Sequence, residues 1–241
     1  MILLTHNYFS NAIAMATEIR VLLPEGKAKK TVFLLSPEGN SGTSWITSTK
    51  AGALCDSEKT AFVIVPSLQG CYTDMVYGYS FFSSLIECIS YLKENLPGVP
   101  IEPLQCYAAG VSSGGLAALR LAMALPDLFA GAASFSGRLD VTDSPCEWFT
   151  EKRLLCLYGT EENRMNLQAE FLQQCRNSSG QSFFLFTRAD DPYAASMKRT
   201  EEAFSERAYS IEEPGLSNWK TWSDWLGIYV SRTGGESHVR N

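Results

Sequence analysis

Residues 110 to 114 read Gly-Val-Ser-Ser-Gly, with the short apolar run Gln105–Ala109 before them and the strong helix former Gly115–Ala122 after them. A serine at the centre of such a GxSxG pattern sits on a sharp strand-to-helix turn that only small flanking residues allow, so its hydroxyl projects above the edge of a sheet. Ser112 is therefore the candidate nucleophile, and the N–H of Ser113 is a candidate donor to the oxyanion that forms during acyl transfer. A serine in such a turn can also simply cap the helix, but the strand before it and the helix after it favour the nucleophile. An alcohol attacks only when a neighbouring base takes its proton. The chain has two histidines, His6 and His238, and neither falls where such a base belongs.

The elements that must hold this turn are legible as alternating patterns. Short runs rich in β-branched and aromatic residues predict strands over Glu18–Leu23, Lys30–Leu35, Thr60–Val65, Gln105–Ala109, Gly131–Phe135, Ser182–Phe186 and Arg207–Glu212. Helical spacing predicts helices over Ser80–Leu96, Gly114–Leu125, Asn166–Cys175, Pro192–Ser205 and Ser217–Val230, the first two stopped by Pro97-Gly98 and Pro126. Strand and helix in alternation predict an α/β fold, a mostly parallel sheet covered by helices on both faces. No repeat or low-complexity linker divides the 241 residues, so residues 1–231 read as a single domain and residues 232–241 as a polar tail.

Composition narrows the function classes. With 45% hydrophobic and 19% charged residues the chain can bury a sizeable core unaided. A net charge of −6 with scattered Lys and Arg argues against nucleic acid as a partner. The seven cysteines are dispersed, with no CxxC or Cys/His cluster, so no metal site is expected and most should be reduced core residues. No leader-like segment and no 18-residue uncharged apolar run occurs, which reads as a cytoplasmic protein without a membrane anchor.

For the acid, two segments compete: Gly159-Thr160-Glu161-Glu162 after the apolar run Arg153–Tyr158, and Thr187-Arg188-Ala189-Asp190-Asp191 after Ser182–Phe186. The second is preferred, because one helix separates it from the final strand, in the strand-acid-helix-strand-base order a triad needs. Asp191 is favoured over Asp190 because it immediately precedes Pro192, and Glu162 stays as the competing acid; an aspartate there can equally serve as a helix N-cap. The base should follow the last strand, in Glu213–Trp222.

The chain resembles the tributyrin esterase branch of the esterase D and S-formylglutathione hydrolase group of α/β hydrolases, over nearly its whole length. Leu34–Trp45, Cys71–Met75 with Tyr77-Gly78, the elbow with its helix, and Gly131–Gly137 carry the resemblance, with Trp219 and Trp222 where family members place aromatics behind the catalytic histidine. The resemblance implies an α/β-hydrolase fold and cofactor-free hydrolysis of short acyl esters or thioesters by a Ser-His-Asp triad. Ser112 matches its nucleophile and Asp191 its acid, and the histidine position falls on Ser217. Tyr72, Thr73 and Asp74 fall near the family's acyl pocket, although a Thr-Asp pair can equally pin a loop. Trp45 is counted with the substrate-binding residues, although tryptophans are more often core. A small acyl ester is the expected partner, and homo-oligomerisation is left open.

The departures are chemical. A serine hydroxyl at 217 cannot accept a proton near pH 7 as a neutral imidazole does. The family's His-Gly pair reads Ser36-Pro37, followed by Glu38 at the position expected to give an oxyanion-hole N–H; proline has none to give, and an inward Glu38 carboxylate would oppose the developing oxyanion. His6 belongs to the far edge of the sheet. His238 lies beyond a helix that carries the chain roughly 20 Å away. Glu38, Asp74 and Glu213 are the substitute bases that remain, and carboxylates are weak ones. The sequence thus implies an esterase whose catalysis is impaired, with a non-catalytic homologue that binds a small ligand or partner protein as the alternative.

Overall fold

The computed structural model describes residues 1–142 and 148–233. Cys146, His238 and nearly all of the polar tail lie outside them. Eight strands, β1 (Ile2–Ser10), β2 (Met15–Leu23), β3 (Lys30–Leu35), β4 (Thr60–Val65), β5 (Cys106–Val111), β6 (Phe129–Phe135), β7 (Ser182–Arg188) and β8 (Ala208–Glu213), form one sheet in the order β1-β2-β4-β3-β5-β6-β7-β8. β1 pairs antiparallel with β2 and β2 with β4; every later pairing is parallel. This is the α/β-hydrolase fold.

Strands β3 and β4 have the bounds their apolar runs predict, because both are buried on both faces and every position except Lys30 reads as apolar or β-branched. Side chains of β3 alternate between two cores. Phe33 and Leu35 join one face with α3 (Phe81–Asn95), α4 (Ser113–Ala124), α6 (Glu161–Asn177) and α7 (Ala194–Phe204). Val32 and Leu34 join the other with α1 (Thr43–Thr47), α2 (Ala51–Ser57) and α8 (Trp219–Arg232). Each fully buried residue of this size contributes about 1.5 to 3 kcal/mol of transfer free energy.

Three expectations are corrected. The run Arg153–Tyr158, which looks like a strand before Glu162, is α5 (Glu151–Tyr158), started by Thr150, whose hydroxyl accepts the N–H of Arg153. β2 begins at Met15 rather than Glu18, because its outer half pairs with β1 while staying exposed or half-buried, so it does not read as an apolar run. The last helix starts at Trp219, where Asn218 Oδ1 accepts the N–H groups of Lys220 and Thr221, so Ser217 stays in the preceding turn.

Cys55, Cys71, Cys88, Cys106 and Cys175 are free and buried. Burial pushes the thiol of Cys55 up to about 11 and those of Cys71, Cys88, Cys106 and Cys175 up to about 12. An unfolded thiol ionises near 8.5, so above that pH the folded state retains protons that the unfolded state has lost, and stability falls as pH rises towards 12. Burial lowers Lys30 to about 8, and that one group acts in the opposite sense between there and its unfolded value. Calorimetry is expected to show a lower Tm at about pH 10.5 than at about pH 8, with the fall reduced when Cys88 and Cys106 are replaced by Ala. An unchanged Tm would contradict it.

Candidate active site

The site is assembled at the carboxyl ends of β3, β5, β6, β7 and β8. Ser112 follows β5 with φ 53° and ψ −119°, a conformation that costs a serine on the order of 1 to 3 kcal/mol and persists only where the surroundings enforce it. Its N–H donates to Phe135 O (3.2 Å) and its carbonyl accepts the N–H of Arg138 (3.1 Å), so β6 and the turn after it hold the strained residue from both sides. The neighbouring glycines permit the close approach. A Cβ on Gly110 would lie 2.1 Å from Gly114 O, and one on Gly114 would lie 2.4 Å from Leu35 O.

Glu38, in the turn after β3, decides the electrostatics. Its Oε1 accepts the hydroxyl of Ser112 (2.7 Å) and the N–H of Ser113 (2.9 Å), and among the described residues the Ser112 hydroxyl makes no other hydrogen bond. Ser113 is the first residue of α4, where unpaired N–H groups and the helix dipole favour an anion. The carboxylate thus occupies the place and the donor that a substrate oxyanion would need.

Asp191 is buried in the turn after β7. Its Oδ1 accepts the N–H of Tyr193 (2.9 Å) and its Oδ2 accepts the Ser217 hydroxyl (2.7 Å). Ser217 in turn accepts from Ser136 (2.8 Å), and Ser136 from Trp222 Nε1 (3.2 Å). The donors run from Trp222 through Ser136 and Ser217 to Asp191, and the Ser112 hydroxyl donates to Glu38 rather than to any of them. Asp190 is exposed beside this turn, and Glu162 is exposed in the first turn of α6. Glu213 pairs with Arg188 (3.0 Å). His6 is on β1, its Nδ1 within 2.7 Å of the Tyr91 hydroxyl, and four strand spacings, roughly 19 Å, separate β1 from β5.

The residues expected to bind substrate have structural partners of their own. Tyr72 is buried; its hydroxyl donates to Val65 O (2.7 Å) and accepts the N–H of Ser36 (2.8 Å), tying the ends of β4 and β3 together. Asp74 accepts from the N–H and the hydroxyl of Ser83 (2.9 and 2.7 Å), pinning the start of α3. Trp45 is fully buried and packs edge-on against Trp219 at 5.3 Å between ring centroids. Thr73 is buried with a hydroxyl that has no partner. The residues that sequence reasoning missed are Ser136 and the hydrogen-bonding role of Trp222. Their only signal is the stretch Gly131–Gly137 and the Trp spacing, because what they touch depends on how β6 and α8 meet. Among the described residues no cluster of His, Cys, Asp and Glu could hold a metal ion, and no helix is long and apolar enough to cross a membrane.

Residues 85–226, which contain the elbow, Asp191 and Ser217, match the model of the Esterase family, described as "Putative esterase". No curated protein matches by sequence. Among solved structures, the fluorophosphonate-binding serine hydrolase FphF of Staphylococcus aureus, substrate bound, superposes with a TM-score of 0.82 at 18% identity, covering 98% of this chain and 99% of that one. The S-formylglutathione hydrolase FrmB of the same organism gives 0.78 at 19% identity over 95% and 97%. MPT51 (FbpC1) of Mycobacterium tuberculosis gives 0.74 at 17% over 94% and 96%. The likeness to these three is one of fold. With the family model matching more than half of its length, the chain belongs to the Esterase family of α/β hydrolases.

Proposed function

We propose that this protein is a carboxylesterase-type hydrolase of short acyl esters, working in the cytoplasm without a cofactor, in which turnover at Ser112 is impaired. The observation that carries this reading is the double acceptance at Glu38 Oε1, from the Ser112 hydroxyl and from the Ser113 N–H. For attack on an ester carbonyl, the Ser112 proton must leave and an oxyanion must take the Ser113 N–H. Glu38 is the one group placed to receive that proton, yet a carboxylate is a weaker base than an imidazole, and while it holds the N–H it repels the oxyanion. Ser217 adds nothing, since its own hydroxyl is spent on Asp191.

A second reading has an observation of its own. The unbroken chain of donors from Trp222 to Asp191 is already complete without a substrate, as expected of a scaffold that binds a small ligand or a partner instead of turning over.

Labelling with a fluorophosphonate probe tests the first reading, with FphF as positive control. Ser112 is expected to remain unlabelled under conditions that label FphF, and p-nitrophenyl acetate turnover is expected to stay within about tenfold of a Ser112→Ala control. Rapid stoichiometric labelling would overturn the impairment. Glu38→Ala separates two roles for the carboxylate: labelling that rises means it blocks the site, whereas residual turnover that falls to the Ser112→Ala level means it is the base.

A further inference from the structure

The strand order of the sheet leaves two edges, β1 and β8. β1 pairs with β2 over nine consecutive positions without a bulge, and among the described residues no backbone group bonds to its outer side. At alternate residues along roughly 30 Å of strand, N–H and C=O groups therefore point away from the sheet. Such an edge is a template for another strand, and proteins blunt it with charge, proline, a bulge or short length. β1, Ile-Leu-Leu-Thr-His-Asn-Tyr-Phe-Ser, has no Asp, Glu, Lys, Arg or Pro. β8 has six residues and ends in Glu212 and Glu213.

The side chains of β1 indicate what the edge fits. His6, Tyr8 and Ser10 turn towards α3, where His6 and Tyr8 meet Tyr91 and Ser10 meets Ser84. Leu3, Thr5, Asn7 and Phe9 lie on the opposite face and are exposed, Leu3 to 46% and Phe9 to 62%. From Leu3 to Phe9 the strand is symmetric about His6: Thr5 and Asn7 are polar, Leu4 and Tyr8 are bulky, and Leu3 and Phe9 are apolar. An antiparallel copy of β1 centred on His6 thus sets Leu3 against Phe9, Leu4 against Tyr8 and Thr5 against Asn7. Shifting it by two residues, the smallest slip that keeps the faces matched, sets Leu3 against Asn7 or Phe9 against Thr5. Charge points to the same partner. Each chain carries a net charge of −6, and this strand brings no charged side chain to a contact between two of them. We propose that two copies of this chain pair edge to edge through β1, antiparallel about His6, so that their sheets join across a two-fold axis. The contact does not depend on whether Ser112 turns over an ester.

Sedimentation velocity of the full chain over about 1 to 100 μM tests the pairing, and a dimer is expected to grow in with concentration. Leu3→Lys and Phe9→Glu change exposed positions, so each is expected to melt as the parent does. Each is also expected to weaken the dimer by at least about tenfold, since a lone charge then meets an apolar partner. The double variant is expected to regain affinity to within about threefold of the parent, because at this register the new ammonium of one copy faces the new carboxylate of the other. Within one chain the two positions are six residues, about 20 Å, apart and cannot pair. A protein that stays monomeric throughout, single variants that dimerise like the parent, or a double variant no better than the single ones would each overturn the proposal.

Discussion

Replacing Ser217 by His and Glu38 by Ala together is expected to raise p-nitrophenyl acetate turnover by about 10³-fold over the unmodified protein, whereas Ser217→His alone raises it little. An imidazole at 217 would inherit the Asp191 Oδ2 that now accepts the Ser217 hydroxyl, which fixes its tautomer and leaves the other nitrogen to take the Ser112 proton. A positioned base contributes about 10² to 10⁴-fold. With Glu38 present, however, Ser112 already donates to a carboxylate, and the Ser113 N–H is occupied. Removing the Glu38 side chain frees that N–H and keeps the backbone N–H of residue 38, the second donor that the family resemblance implies. One such donor is worth about 10² to 10³-fold in kcat. The two changes should therefore be strongly non-additive, because neither completes the site alone. Measuring kcat/KM for both single variants and the double variant decides it. A double variant as slow as Ser112→Ala would show that the obstacle is elsewhere, and a fast Ser217→His single variant would show that Glu38 does not block.

Gly110→Ala is expected to destabilise the fold by more than about 4 kcal/mol, enough to lower Tm by roughly 8 to 16 °C or to prevent soluble expression. The added Cβ would lie 2.1 Å from Gly114 O and 2.3 Å from Gly114 C. Both atoms are backbone in the first turn of α4, so no side chain can rotate away, and β5 and α4 would have to part. Gly227→Ala in α8 is the control: nothing lies within 4 Å of its Cβ, and removing a mid-helix glycine should stabilise by up to about 1 kcal/mol. Thermal melts of the two variants compare them directly. A Gly110→Ala protein that melts within about 2 °C of the parent would show that the elbow does not need this close contact.

Some of this architecture was open to reading without coordinates. The bounds of β3 and β4, the helices on either side, and the position of Ser112 between Val111 and Ser113 follow from local patterns: continuous apolar runs mark strands buried on both faces, and glycines at 110 and 114 mark a turn that nothing larger fits. The absence of a histidine at 217 is equally a matter of composition. Arg153–Tyr158 shows the limit of such reading. Six residues with five apolar side chains satisfy a strand or a helix alike, and only the Thr150 cap and packing against α6 make it α5.

Tertiary structure decided the contacts between distant segments. Whether the Glu38 side chain turns towards the elbow depends on the turn after β3, and 74 residues separate it from the serine whose hydroxyl it accepts. That Trp222, Ser136, Ser217 and Asp191 share one chain of hydrogen bonds depends on how β6, β7 and α8 converge. Local sequence determines which turns and elements can form, because backbone sterics and hydrophobic periodicity act over a few residues. Partnership between side chains far apart in the chain is set by the close packing of those elements, which no local pattern encodes.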